Sequence, residues 1–126
     1  MQPFVFTPIL KQIRWGGRKL GTVLHKPIGD AADYAESWEI ADQPDGRSVA
    51  ANGEFSGQTL SSLMQSHRKQ IMGRHAAMDQ FPLLIKFLDA NDWLSLQVHP
   101  NDEQAQNYGA GENGKTEAWV ILDAEP

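Results

Sequence analysis

Trp93-Leu94-Ser95-Leu96-Gln97-Val98-His99-Pro100 is the stretch from which the rest of the chain is read. Leu94, Leu96 and Val98 fall on one side of an extended backbone, and Trp93, Ser95, Gln97 and His99 on the other. This period of two predicts a β-strand over 93–99. Its counterpart is Gly114-Lys115-Thr116-Glu117-Ala118-Trp119, where Lys115, Glu117 and Trp119 share one face and Thr116, Ala118 and Val120 the other. If the two strands look into the same interior, Gln97, His99 and Glu117 converge. An amide oxygen, an imidazole nitrogen and a carboxylate oxygen make a three-ligand set for zinc or a similar divalent ion. The same alternation also describes an ordinary antiparallel strand with one face in water, and Gln-x-His alone is a weak motif. Two features favour a site. The polar face starts with a tryptophan, and the glycine-rich link 109–114 delivers Lys115 and Glu117 together at a strand start.

Working outward, Phe81-Pro82-Leu83-Leu84-Ile85-Lys86-Phe87-Leu88-Asp89 is the most apolar segment. It predicts a central strand, joined to 93–99 by a turn over Ala90-Asn91-Asp92 to give a hairpin. Lys86 inside that segment must snorkel, find a carboxylate, or serve a purpose. Beyond Pro100, residues 100–106 predict a short helix. Asp102 and Glu103 lie in its first turn, where the helix dipole favours acids, and they read as capping residues before catalytic ones. Lys115 to Leu122 predicts the last strand.

Toward the N-terminus, Phe4 to Ile13 reads as extended edge structure, with Pro3 and Pro8 beside and within it. Ile13 to Gly21 reads as a loop, in which Gly16-Gly17 allow close backbone approach; Trp15 either lines a pocket or plugs the end of the core. Residues 25–35 read as irregular. Ser37-Trp38-Glu39-Ile40-Ala41 predicts a strand, with Glu39 facing solvent by default. Gln43-Pro44-Asp45-Gly46 predicts a turn, and Ser48 to Ala51 the returning arm. In Thr59 to Met72, Leu60, Leu63, Met64, His67 and Ile71 form one helical stripe for packing on a sheet. Thr59 serves as N-cap and Gly73 as stop. His67 reads as a packed side chain, and Arg68, Lys69 and Arg74 as a solvated face. The sum is a mainly β, antiparallel domain of sandwich or barrel type with one or two helices.

Composition bounds the function. The 126 residues suffice for one domain with a modest core. With 40% hydrophobic and 21% charged residues the chain does not read as disordered. No apolar run approaches the ~20 residues of a membrane-spanning helix, and the first residues lack the basic and apolar regions of a secretory signal. The absence of cysteine excludes disulfides, thiolate metal sites and cysteine nucleophiles, and suits a reducing compartment. A net charge of −5 with scattered basic residues argues against a nucleic-acid surface.

Five motifs add a family resemblance: Ile13-Arg14-Trp15-Gly16-Gly17-Arg18-Lys19-Leu20, Glu36-Ser37-Trp38-Glu39-Ile40, Phe81-Pro82-Leu83-Leu84-Ile85-Lys86, Leu94 through Glu103, and Gly114 through Trp119. Together, and in this order, they resemble the class I mannose-6-phosphate isomerases. The resemblance implies a cytoplasmic, zinc-dependent enzyme on a cupin (jelly-roll) β fold that interconverts mannose 6-phosphate and fructose 6-phosphate. It makes Gln97, His99 and Glu117 the first three ligands of one divalent ion. It places Lys115 and Lys86 with the substrate as candidate catalytic groups, and Trp15, Ser95 and Lys86 as substrate contacts. The fourth family ligand, a histidine, belongs to a later strand. Residues 1–126 are therefore expected to be the N-terminal cupin-like portion of a longer domain, incomplete at its C-terminal end. Open strand edges in such a portion predict self-association. The expected partner is a small sugar phosphate, with neither nucleic acid nor membrane. The second reading is a non-catalytic cupin that binds a sugar or sugar phosphate. A third is another metal-dependent cupin such as an oxygenase, whose His-x-His pattern Gln97-Val98-His99 does not follow.

Overall fold

Tyr34–Ile40 is the segment on which the sheet is built. The structure, a computed structural model, describes residues 3–109 and 113–125. It divides into two compact units, Met1–Leu94 and Ser95–Pro126.

In the first unit, β1 (Ile9–Gly17) and β2 (Tyr34–Ile40) pair antiparallel. On the other edge of β2 lies a short strand, Ile85–Leu88, also antiparallel, so β2 is central. Between them in sequence, β3 (Asp42–Gln43) and β4 (Gly46–Arg47) close a hairpin over Pro44-Asp45, as the turn chemistry predicts. Ile85–Leu88 is therefore β5. It is not the central strand expected of 81–89: it pairs with β2 alone among the described residues, and Leu83 is 54% exposed. High apolarity marked a burial tendency but not a place in the ladder.

Trp15-Gly16-Gly17 is not a loop but the end of β1. Gln12 and Gly17 both stand opposite Tyr34, so the register shifts across residues 12–17. Gly16 lies so close to β2 that a Cβ would sit 2.5 Å from Ala35 N. The close approach expected of these glycines is thus made to a neighbouring strand. A short helix follows, α1 (Lys19–Thr22), whose first amide Lys19 N donates to Asp89 Oδ2 at 2.6 Å. That cap comes from 70 residues away, which is why no local signal announced the helix.

The predicted long helix is α2 (Leu60–Met72), capped by Thr59 Oγ1 accepting from Ser62 N and ended at Gly73 with φ 54°. Leu60, Leu63 and Met64 are essentially fully buried, each contributing about 1.5–3 kcal/mol. The stripe loosens at His67, whose φ of −129° interrupts the helix while its ring meets Phe55 edge-on at 4.7 Å. Leu60 N donates to Ser48 O, and Ser61 Oγ bonds the buried Asp42 carboxylate, tying α2 to the chain just after the hairpin.

Residues 93–99, which run from the end of the first unit into the second, and 115–122 of the second form no ladder among the described residues. Both were expected to be strands. A strand is stabilised by neighbours on its hydrogen-bonding edges, and here the apolar positions Leu96 and Val98 are 99% and 91% exposed. The expected hairpin between 81–89 and 93–99 is likewise absent among the described residues. The expected short helix is α3 (Asp102–Ala105). Its cap is Asn101, in a reciprocal box with Gln104, rather than Asp102 or Glu103.

Among the described residues no helix is long and apolar enough to cross a membrane.

Candidate functional site

In the second unit, two short segments are joined by backbone ties. Lys115 N donates to Pro100 O at 3.1 Å, and Gly114 N donates to Asp102 Oδ1 at 2.9 Å. Gly114 has no room for a side chain, since a Cβ would lie 2.4 Å from Asn101 C. The rest of the glycine-rich link, residues 110–112, lies outside the described residues. These ties set the segment after Gly114 beside the one that carries His99.

The result is a contact between two of the three expected metal ligands. His99 Nε2 lies 3.4 Å from Glu117 Oε1. That nitrogen is buried and makes no hydrogen bond. Glu117 is held by neighbours two positions away on either side: Lys115 Nζ is 2.8 Å from Oε2, and Trp119 Nε1 donates to Oε1 at 2.9 Å. These bonds, Lys115 first, lower the carboxyl from 4.5 to about 2. They also place Lys115, Glu117 and Trp119 on one face, as the alternation predicts. Similarly, Gln97 Nε2 donates to Ser95 Oγ at 3.0 Å, so those two also share a side.

The His99–Glu117 pair fits a divalent ion. Two ligand atoms on a tetrahedral zinc stand roughly 3.3–3.5 Å apart, the separation found between His99 Nε2 and Glu117 Oε1. A buried imidazole nitrogen without a hydrogen-bond partner is a position that a cation can satisfy. Gln97 spends its amide nitrogen on Ser95, which leaves its oxygen as the ligating atom. Among the described residues no three His, Asp or Glu side chains gather as a metal site; His99 and Glu117 meet, while Gln97 is in contact with Ser95.

The first unit holds the other named residues. Lys86, on β5, finds a carboxylate: its Nζ is 2.9 Å from Glu36 Oε1. Trp38 Nε1 donates to Glu36 Oε2 at 2.5 Å. Trp15 is half-buried near the end of β1, and its carbonyl accepts from Asn91 N at 2.8 Å. Glu36 was not singled out from the sequence, and Trp119 only as sharing a face with Glu117. The signal for each was the same two-residue spacing, Glu36-x-Trp38 and Glu117-x-Trp119, which sets an indole N–H beside a carboxylate on one face.

Comparison with known proteins follows the same line. Residues 4–122 match the family described as phosphomannose isomerase type I, catalytic domain. The chain is 42% identical, over 98% of its length, to mannose-6-phosphate isomerase ManA of Bacillus subtilis strain 168, and spans 38% of that protein. It is 40% identical, over 88% of its length, to mannose-6-phosphate isomerase of Streptococcus mutans, and spans 34% of it. The crystal structure of mannose 6-phosphate isomerase from Bacillus subtilis superposes with a TM-score of 0.91 at 38% identity, covering 99% of this chain and 39% of that one. The chain spans well under half the length of these relatives, yet the match runs through nearly all of its own residues. It therefore belongs to the type I phosphomannose isomerase family.

Proposed function

We propose that this chain carries part of the active site of a zinc-dependent isomerase that interconverts mannose 6-phosphate and fructose 6-phosphate on a cupin jelly roll. The observation that carries this reading is the buried, unbonded His99 Nε2 facing Glu117 at 3.4 Å, in a chain of this family. Gln97, His99 and Glu117 would hold the ion. Three protein ligands leave a coordination position for a further ligand, as catalytic zinc sites do. When bound, zinc acts as a Lewis acid on the sugar's carbonyl and hydroxyl oxygens.

The protein's own groups do the rest. Aldose–ketose isomerisation moves a proton between C1 and C2 through a cis-enediol, and so needs a base on the sugar's face. Lys115, 2.8 Å from Glu117, is the basic group beside the ligand pair, and we assign it the proton transfer. Ser95 Oγ accepts from Gln97, which leaves its O–H to donate to a substrate oxygen. In the first unit, the family resemblance assigns Lys86 and Trp15 as substrate contacts.

The test is elemental analysis of the purified protein together with a coupled assay for mannose 6-phosphate conversion. Near-stoichiometric zinc, lost in Glu117→Ala, with turnover lost in Lys115→Ala, is expected. Wild-type turnover that survives Lys115→Ala would remove Lys115 as the base. Zinc retained by Glu117→Ala would remove the ligand assignment. Zinc without turnover would point instead to a sugar-phosphate-binding protein.

A further inference from the structure

Glu36 is a buried acid, 9% exposed, with its two oxygens divided between two donors. Oε1 takes Lys86 Nζ at 2.9 Å and Oε2 takes the Trp38 indole N–H at 2.5 Å. The sheet register explains the grouping. Trp38 stands opposite Lys86 and Glu36 opposite Leu88, so all four side chains belong to one face of the β2–β5 pair. The indole fixes the rotation of the carboxylate, and the carboxylate then fixes the ammonium. Trp38 is itself covered by Lys11, whose Nζ lies 4.3 Å from the ring centre and donates to Asp45 O at 2.8 Å.

Stability alone is a poor reason for such an arrangement, because a buried ion pair is often no better than apolar residues of the same volume. The donor count suggests another. An ammonium has three N–H donors. One is held by Glu36, and the Lys86 side chain remains 24% exposed, which leaves two donors for a ligand.

We propose that Glu36 is a positioning residue that orients the Lys86 ammonium to bind the phosphate group of a sugar phosphate. This rests on the sugar-phosphate reading above. Glu36 acts through Lys86 and does not itself touch the ligand, since an anion is repelled by a carboxylate.

Two readouts on the purified protein test it. The first is acylation of Lys86 by an amine-reactive reagent, mapped by mass spectrometry, with and without inorganic phosphate. The second is KM and kcat for mannose 6-phosphate. Phosphate is expected to slow Lys86 acylation in the wild type and to lose that effect in Glu36→Gln. KM should rise about tenfold or more, the scale of a lost charged hydrogen bond, with kcat changed less. Glu36→Asp should restore part of both. Phosphate protection and KM in Glu36→Gln equal to wild type would overturn the proposal, as would a wild-type Lys86 that phosphate never protects. If Glu36→Gln fails to fold, Trp38→Phe removes the indole N–H together with part of the ring system, and undiminished protection there also overturns it. Glu36-dependent protection in a protein that does not isomerise mannose 6-phosphate would support the positioning role while rejecting the isomerase reading.

Discussion

His99 Nε2 stands 3.4 Å from Glu117 Oε1 without a hydrogen bond, while both oxygens of Glu117 are engaged by Lys115 and Trp119. Buried without a hydrogen-bond partner, that nitrogen leaves a place that a cation can fill. A divalent ion would satisfy both atoms and compete with the indole for Oε1. Zinc is therefore expected to move the indole N–H resonance of Trp119 in a proton–nitrogen correlation spectrum. His99→Ala should abolish the shift. A Trp119 resonance that responds equally in His99→Ala would place the metal elsewhere.

The lowered carboxyl of Glu117 has its own consequence in the metal-free protein. Its value of about 2, against an ordinary 4.5, is caused first by the hydrogen bond from Lys115 and next by that from Trp119. A folded-state value below the unfolded one contributes stability at pH above about 4.5, and that contribution is lost as pH falls through about 2. Carbon NMR of the labelled carboxyl should titrate near pH 2. Lys115→Met should raise the midpoint toward 4.5, and Trp119→Phe should raise it less. A wild-type midpoint at 4.5 would mean that the two bonds do not persist in solution.

Asp102 lies three residues beyond His99, and its Oδ1 accepts from Gly114 N at 2.9 Å, three residues before Glu117. It belongs to neither the ligand set nor the α3 cap, which is made by Asn101 and Gln104. Its tie helps to align the two ligand-bearing segments. Asp102→Ala is expected to weaken zinc binding about tenfold, the scale of losing a group that orients ligands. Asn101→Ala should cost about 1 kcal/mol in stability through the lost cap. Competition with a chromophoric chelator measures the first, and urea unfolding the second. Unchanged zinc affinity in Asp102→Ala would show that the Lys115 N–Pro100 O tie suffices alone.

These relationships show which parts of the molecule were legible in the sequence. Local chemistry was. The Pro44-Asp45 turn closes its hairpin, Thr59 and Gly73 bound α2, and the two-residue spacing places Lys115, Glu117 and Trp119 on one face. Lys86 finds one of the fates expected of a lysine among apolar residues, a carboxylate partner. Partner choice across long sequence separation was not legible. The apolarity of 81–89 carried no information about which edge of β2 it would occupy. Gly16-Gly17 read as a loop because a glycine pair signals a turn and a close strand crossing equally well. Residues 93–99 have the alternation of a strand, but a ladder also needs a neighbour on its edge. The jelly roll came from the family resemblance, and the described residues hold one sheet of three strands and one of two.

The sharpest structural prediction lies at that misread glycine pair. A Cβ on Gly16 would meet Ala35 N and Tyr34 C at 2.5 Å and Asp33 O at 2.6 Å. All three are backbone atoms, so no rotamer change relieves the clash, and β1 would have to move off β2. Overpacking of this kind costs about 1–3 kcal/mol, and the absence of any flexible neighbour puts Gly16→Ala at the upper end. At Gly17 a Cβ would come nearest to Asp89 Oδ2, at 2.8 Å, on a side chain that can rotate but also caps α1 through Lys19 N. Gly17→Ala should therefore cost less than Gly16→Ala, and its damage should centre on α1. Urea unfolding ranks the two variants, and amide exchange at Lys19 and its neighbours separates them. Equal losses, or a Gly16→Ala protein as stable as wild type, would mean that β1 and β2 do not approach as closely in solution as Gly16 requires.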